Sequence, residues 1–181
     1  MNLRLITPPA VEPVSVETAK LFLRVDGTAE DAAITSLIAG ARETCEEISR
    51  RAFITQTWEM ILDAWPRDLH LELYRPALQS VTSVKYLDSS NVEHTWTDYV
   101  VDNRSEPGMI LFNSLPSSSL LESGAITVRF VAGYGSSAEA VPQRIKDNLL
   151  GLIAYRYENR EAPGVPAYVR VAMMNERARW F

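Results

Sequence analysis

Apolar residues follow helical spacing at both ends of this chain and alternate with polar ones in between. Ile34, Leu37, Ile38, Ala41, Cys45 and Ile48 recur every three or four positions, with Arg42, Glu43, Glu46, Glu47 and Arg50 on the other faces. That spacing predicts a long helix with one buried stripe, and no heptad is sustained as a coiled coil requires. Ahead of it, Val16, Ala19, Leu21, Phe22 and Leu23 predict a short helix ending near Val25-Asp26-Gly27. Ser15 is its expected N-cap, and Glu17 sits where the helix dipole favours an anion. Thr28-Ala29-Glu30-Asp31 predicts a capping-box start for the long helix. Near the other end, Ile145, Leu149, Leu152, Ile153 and Tyr157 predict a helix reaching about Asn159, with Pro142 as its first residue. Ala162-Pro163-Gly164-Val165-Pro166 breaks the chain. A last helix, Ala167 to Arg179, carries Tyr168, Val171, Ala172 and Met174 together with Arg170, Arg177 and Arg179.

From Gln56 the period changes to two. Trp58, Met60 and Leu62 alternate with Thr57, Glu59 and Ile61, and further strands are predicted over His70–Leu73, Val81–Leu87, His94–Val101, Met109–Phe112 and Ala125–Val131. Asp88-Ser89-Ser90-Asn91 marks a turn, and Ser117-Ser118-Ser119 an exposed loop tip. Short strands at this spacing favour an antiparallel sandwich or small barrel over a parallel sheet. Pro8, Pro9 and Pro13 predict that residues 1–14 form an extended arm, whose Leu3, Leu5 and Ile6 pack on a neighbouring subunit or belong to a tail. The predicted fold class is α+β: a small helical bundle with an antiparallel β-sandwich or barrel-like insert between its N-terminal and C-terminal helices. The expected division is an arm over 1–14, a bundle from 15–54 and 136–181 ending in a docking helix, and a β insert over 55–135.

Composition changes this picture little. The chain has 181 residues, 46% hydrophobic and 23% charged, enough for one domain with a core or a small domain carrying an insert. A net charge of −5 argues against sequence-independent nucleic-acid binding, which uses a basic face. The sole cysteine, Cys45, has no internal partner for a disulfide and falls in an apolar stripe, as a small buried hydrophobe does. No run approaches the ~20 apolar residues of a membrane span. Met1–Pro9 is too short and too proline-broken for a signal peptide, so synthesis in the cytoplasm of the producing cell is expected.

The candidate chemistry is thin. His70 and His94 lie in separate predicted strands without further ligands at zinc spacing. Gly133-Tyr134-Gly135 lacks the third glycine and the Lys-Ser/Thr pair of a phosphate loop, and no Gly-x-Ser-x-Gly is present. Asp98 with Asp102, or Glu158 with Glu161, could be read as acid–base pairs, but such spacing is common on ordinary surfaces. No catalytic, cofactor-binding or metal-binding residue is assigned, and no cofactor is expected. Trp58, Trp65, Trp96 and Tyr99 support an alternative reading, a β-sandwich ligand- or carbohydrate-binding module on a helical stalk.

Two clusters point instead to protein contacts. Arg42, Glu46 and Arg50, with Glu158 and Arg160, form either solvated helix faces or charged contacts between copies, where complementary charges fix register. Met173, Met174, Arg177, Arg179, Trp180 and Phe181 have the Met, aromatic and Arg enrichment of interface cores and hot spots. That segment either folds back on its own bundle or docks into a partner.

Five collinear segments carry a resemblance. Glu12–Asp26, Ile54-Thr55-Gln56-Thr57-Trp58, Arg75–Val81, Phe130–Gly135 and Tyr155–Arg160 together resemble the head–tail connector (adaptor) proteins of tailed phages, whose counterparts also occur in phage-derived gene transfer agents. The resemblance spans residues 12–161 and does not extend to Ala167–Phe181. It implies a non-enzymatic virion protein: a homo-oligomeric ring, usually of twelve copies, beneath the portal in the head–tail neck. Such a ring extends the DNA channel and offers a docking surface for neck and tail-completion (stopper) proteins. The implied partners are further copies of itself, the portal protein, the stopper, and DNA passing through the lumen without specific binding. No membrane is involved. In related adaptors the C-terminal helix contacts the portal, which agrees with the composition of this one.

Overall fold

The computed structural model describes residues 2–161 and 164–177. They fall into two units, one built on Thr55–Gly133 with the N-terminal strand, the other on Pro9–Ile54 with the segment beginning at Tyr134. The elements are α+β in class: four helices and eight strands among the described residues.

In the first unit, β1 (Asn2–Thr7), β2 (Gln56–Leu62), β4 (Leu78–Leu87), β5 (Glu93–Trp96) and β8 (Ile126–Ala132) make an antiparallel sheet of order β1-β2-β8-β4-β5. β3 (His70–Glu72), β6 (Tyr99–Asp102) and β7 (Met109–Phe112) make a second, of order β3-β7-β6. Period-two patterning sets the inner face. Ile126, Val128, Phe130 and Ala132 of β8 are buried opposite Leu62, Met60, Trp58 and Gln56 of β2. Trp65, between β2 and β3, meets Tyr86 of β4 and Phe112 of β7 edge-on at 5.7 and 5.4 Å, so one indole touches both sheets. Gly108 leads into β7 where a methyl group would lie 2.5 Å from the Leu78 Cβ, which leaves room only for glycine.

Two expectations need correction here. Residues 2–7 of the expected arm are a strand, paired along β2 from Asn2 opposite Ile61 to Thr7 opposite Thr57. The prolines begin where that strand stops, since proline has no N–H to give to a ladder. The single strand expected over His94–Val101 is two strands in different sheets. The chain turns at Thr97-Asp98, where the Asp98 carboxylate takes hydrogen bonds from Asn113 and Ser114 and its carbonyl accepts the Asn113 N–H.

On the outer face of the larger sheet, one carboxylate spans three strands. Glu59 of β2 lies in register between Arg4 of β1 and Arg129 of β8 and accepts from both, at 2.8 Å from Arg129. Burial pushes the Glu59 carboxyl up, but the two guanidiniums outweigh it and hold it below the usual range. A depressed folded-state value means stability present above the unfolded-state value and lost as pH falls through the folded one. Glu59→Gln is therefore expected to cost about 1–2 kcal/mol at neutral pH. The gap to wild type should narrow as pH falls below the ordinary carboxylate range and towards the depressed folded-state value, where Glu59 takes up its own proton. Urea unfolding at pH 7 and pH 3 checks this; a gap of equal size at both pH values would exclude it.

The second unit holds α1 (Val16–Leu23), α2 (Asp31–Ser49), α3 (Gln143–Glu158) and α4 (Ala167–Asn175). The Ser15 side chain caps α1 by accepting the Thr18 N–H at 3.1 Å. The capping box expected at Thr28 does not form: α2 has no side-chain cap, and Asp31 instead pairs with Lys20 of α1 at 2.6 Å. The predicted stripe of α2 is the core, with Ile34, Ile38, Ala41 and Cys45 packed among Val14, Phe53, Ile145, Leu149, Ile153, Val169 and Met173. α3 opens one residue after Pro142, within the usual uncertainty of helix ends. Burial pushes the Cys45 thiol up to about 12, opposed by the charge of Arg156, so it stays protonated and unreactive.

Candidate interaction surfaces

α4 is short but firmly held. Arg144 of α3 forks onto the Glu176 carboxylate through Nε and Nη2 at 2.5 and 2.8 Å, the Arg51 guanidinium donates to the Glu176 carbonyl, and Arg177 Nε donates to the Ile48 carbonyl at 2.6 Å. Val169 and Met173, four residues apart, point into the core with no exposure. The opposite side carries Tyr168, Val171 and Met174 at 60%, 57% and 49% exposure. The Tyr168 hydroxyl lies against Gly151 of α3, where a methyl group would come within 2.6 Å of it. The result is an apolar, partly aromatic strip on a fixed helix, bordered by the exposed Arg170 and Arg177.

Met174 is exposed, and Arg177 is exposed but tied to α2. Met173 must be removed from the docking set, because its side chain is spent on the core. Arg179, Trp180 and Phe181 lie outside the described residues. The helix they were expected to end stops at Asn175. Tyr168 and Val171, which the sequence places on this helix without assigning them to a contact, form its exposed apolar side. The signal was the pairing of Val169 with Met173 at helical spacing, which leaves Tyr168, Val171 and Met174 facing away.

Of the charged set, Arg42 and Glu46 are buried within the helical unit, each at 6% exposure. Arg42 donates to Glu12 at 2.8 Å and to Glu46 at 2.9 Å, and Glu46 accepts the Phe53 N–H at 2.7 Å. Their charges are spent on bonds within this chain. Arg50 is the exposed C-cap of α2 in the left-handed conformation. Arg160 stacks over Tyr157 and pairs with Glu30 at 3.1 Å, and Glu158 is exposed.

The aromatic residues of the alternative reading serve the fold of the first unit. Trp58 is nearly buried beneath the Arg75 guanidinium, Trp65 and Trp96 both pack edge-on to Tyr86, and Tyr99 meets Phe112. A flat exposed platform is not what they form. Asp98 and Asp102 cap loops. The Ser114 hydroxyl beside Asp98, and the Ser105 hydroxyl beside Asp102, hold their carboxyls below the usual range. A general acid working near neutral pH needs the opposite shift. His94 donates a hydrogen bond from Nε2 to the Asp88 carboxylate at 2.8 Å and stacks on Tyr86. Among the described residues no helix is long and apolar enough to cross a membrane.

No family model matches the chain, and no curated protein matches it in sequence. Solved structures do match in fold. A chain in the virion of a native gene transfer agent (GTA) particle superposes with a TM-score of 0.83 at 22% identity, over 100% of this chain and 97% of that one. A chain in the neck of an empty GTA particle, computed with C6 symmetry, gives 0.83 at 23%, and one in the neck of a native GTA particle, computed with C12 symmetry, gives 0.77 at 20%. Both of these also cover 100% of this chain and 97% of their own. The chain thus has, along its whole length, the fold of chains found in GTA particles and their necks.

Proposed function

We propose that this chain is a structural head–tail connector of a phage or phage-derived particle: a ring of copies in the neck, beneath the portal, that continues the DNA channel and receives the stopper or tail. The observation that carries the reading is the end-to-end match to chains in GTA necks. The exposed side of α4 supplies what the role requires, an apolar surface on a rigid support. In this reading Tyr168, Val171 and Met174, with Arg177, meet the portal, and Arg179, Trp180 and Phe181 extend the contact. Arg50, Glu158 and Arg160 are left as the charged groups available between copies. A net charge of −5 suits a conduit, because a lumen that DNA must traverse should not grip phosphates.

Quantitative mass spectrometry of purified particles tests the role. The chain should be present in the same copy number as the portal protein, and particles made without it should be filled heads lacking tails. Tailed particles in normal yield without the chain would overturn the proposal.

A further inference from the structure

We propose that Gly151 of α3 is the positioning residue for Tyr168 in the portal contact: it lets the phenol lie along α3, so the ring is in place before the partner arrives. This role rests on the contact proposed above for the exposed side of α4 and names what sets its aromatic member.

Gly151 stands in the interior of α3, where glycine weakens a helix relative to alanine because it loses more backbone freedom on folding. Its backbone does not require glycine, since its φ is not positive. The requirement is space. A Cβ built on Gly151 would lie 2.6 Å from the Tyr168 hydroxyl oxygen, but 3.4 Å from Cε2 and from Cζ, which is ordinary contact. The nearest atoms to that Cβ all belong to Tyr168, and the hydroxyl alone excludes a side chain.

That neighbour is not a core residue. Tyr168 lies in the first turn of α4 and is more than half exposed, whereas Val169 and Met173 fill the core. The chain's other tightly packed helix-free glycine, Gly108, makes room for the buried Leu78 and so serves the fold. At Gly151 the helical stability forgone makes room for an exposed ring instead. An exposed tyrosine with nothing beneath it samples several rotamers, and ordering such a side chain on binding costs affinity. Resting the phenol on α3 removes part of that cost beforehand, and rigid tyrosines are residues that anchor interfaces. Ala154 and Tyr155, the next residues of the same α3 face, are half-buried, so the phenol joins a surface that α3 and α4 share.

Binding of the full chain to the purified portal protein, with thermal melting alongside, tests this role. Gly151→Ala should melt at or above the wild-type temperature, because alanine favours helix and only the outer end of an exposed side chain has to move. It should nevertheless bind the portal about tenfold more weakly, as displacement of an anchoring tyrosine implies. In a Tyr168→Phe background the clashing oxygen is gone, and the same Gly151→Ala change should alter binding by less than about twofold. A glycine needed only for the fold gives other results: a lower melting temperature with binding falling beside it, or an equal loss of binding in both backgrounds. Either outcome overturns the positioning role, as does a Gly151→Ala chain that binds like wild type, and all three leave the portal contact standing. A wild-type chain that fails to bind the portal removes the contact and the positioning role together.

Discussion

Replacing Arg42 by methionine should cost the helical unit about 3–5 kcal/mol, the range for removing one partner of a buried ion pair. The guanidinium is shared between Glu12, in the segment that leads into α1, and Glu46, one turn further along α2. Burial alone would favour a neutral arginine, but the two carboxylates outweigh it and hold Arg42 charged even more firmly than usual. Glu46 also accepts the Phe53 N–H, so it fixes the chain as it leaves α2 for the core residues Phe53 and Ile54. One arginine therefore joins the entry to the bundle with its exit. Methionine fills similar space and leaves two carboxylates without their cation, which isolates the electrostatic loss from a packing loss. Arg42→Lys should recover only part of the stability, because a single ammonium cannot reproduce the fork that reaches both acids. The second substitution Glu46→Gln, made in the Arg42→Met background, should cost far less than in wild type, and chemical denaturation of all four proteins measures that coupling. An Arg42→Met protein as stable as wild type would place this network at the surface after all.

The same network shows where local sequence reading stopped. Helical periodicity identified the α2 stripe residue by residue, because Ile34, Ile38, Ala41 and Cys45 sit on one face whatever lies opposite. It could not see that Arg42 and Glu46, on the flank, would be covered. The covering residues are Glu12, thirty positions earlier, and Phe53 just beyond the helix, and no local pattern carries such contacts. The β region was legible for a related reason and failed for another. Alternation in β2 and β8 follows from one buried face, but the aromatic and β-branched residues on both sides of Thr97-Asp98 concealed a change of sheet that depends on Asn113 and Ser114. At the N-terminus, Leu3, Leu5 and Ile6 carry no clean alternation, and in the strand Leu3 and Ile6 are half-buried while Leu5 is exposed, with the register shifting between Leu5 and Thr7. Strand edges tolerate proline just past their ends, so the arm signal and the strand signal coexist there.

The surface of α4 was ambiguous in the sequence for a physical reason that also makes it testable: the helix has two apolar sides, and only packing decides which of them is inside. Val171→Glu should therefore separate fold from assembly. Glutamate favours helix at least as well as valine, and the site is more than half exposed, so thermal melting should stay within about 0.5 kcal/mol of wild type. Within a closed interface the same carboxylate has no water and would lie among Tyr168 and Met174, where an unpaired buried charge is costly. A loss of at least 2 kcal/mol, as for a central hot-spot residue, corresponds to roughly 30-fold weaker binding to the purified portal, with matching loss from assembled particles. Met173→Glu gives the contrasting result, since its side chain is in the core: that variant should unfold, and its failure to assemble would follow from instability alone. If Val171→Glu binds the portal as wild type does, α4 turns its apolar side to something else, and the portal contact must be sought on another face of the chain.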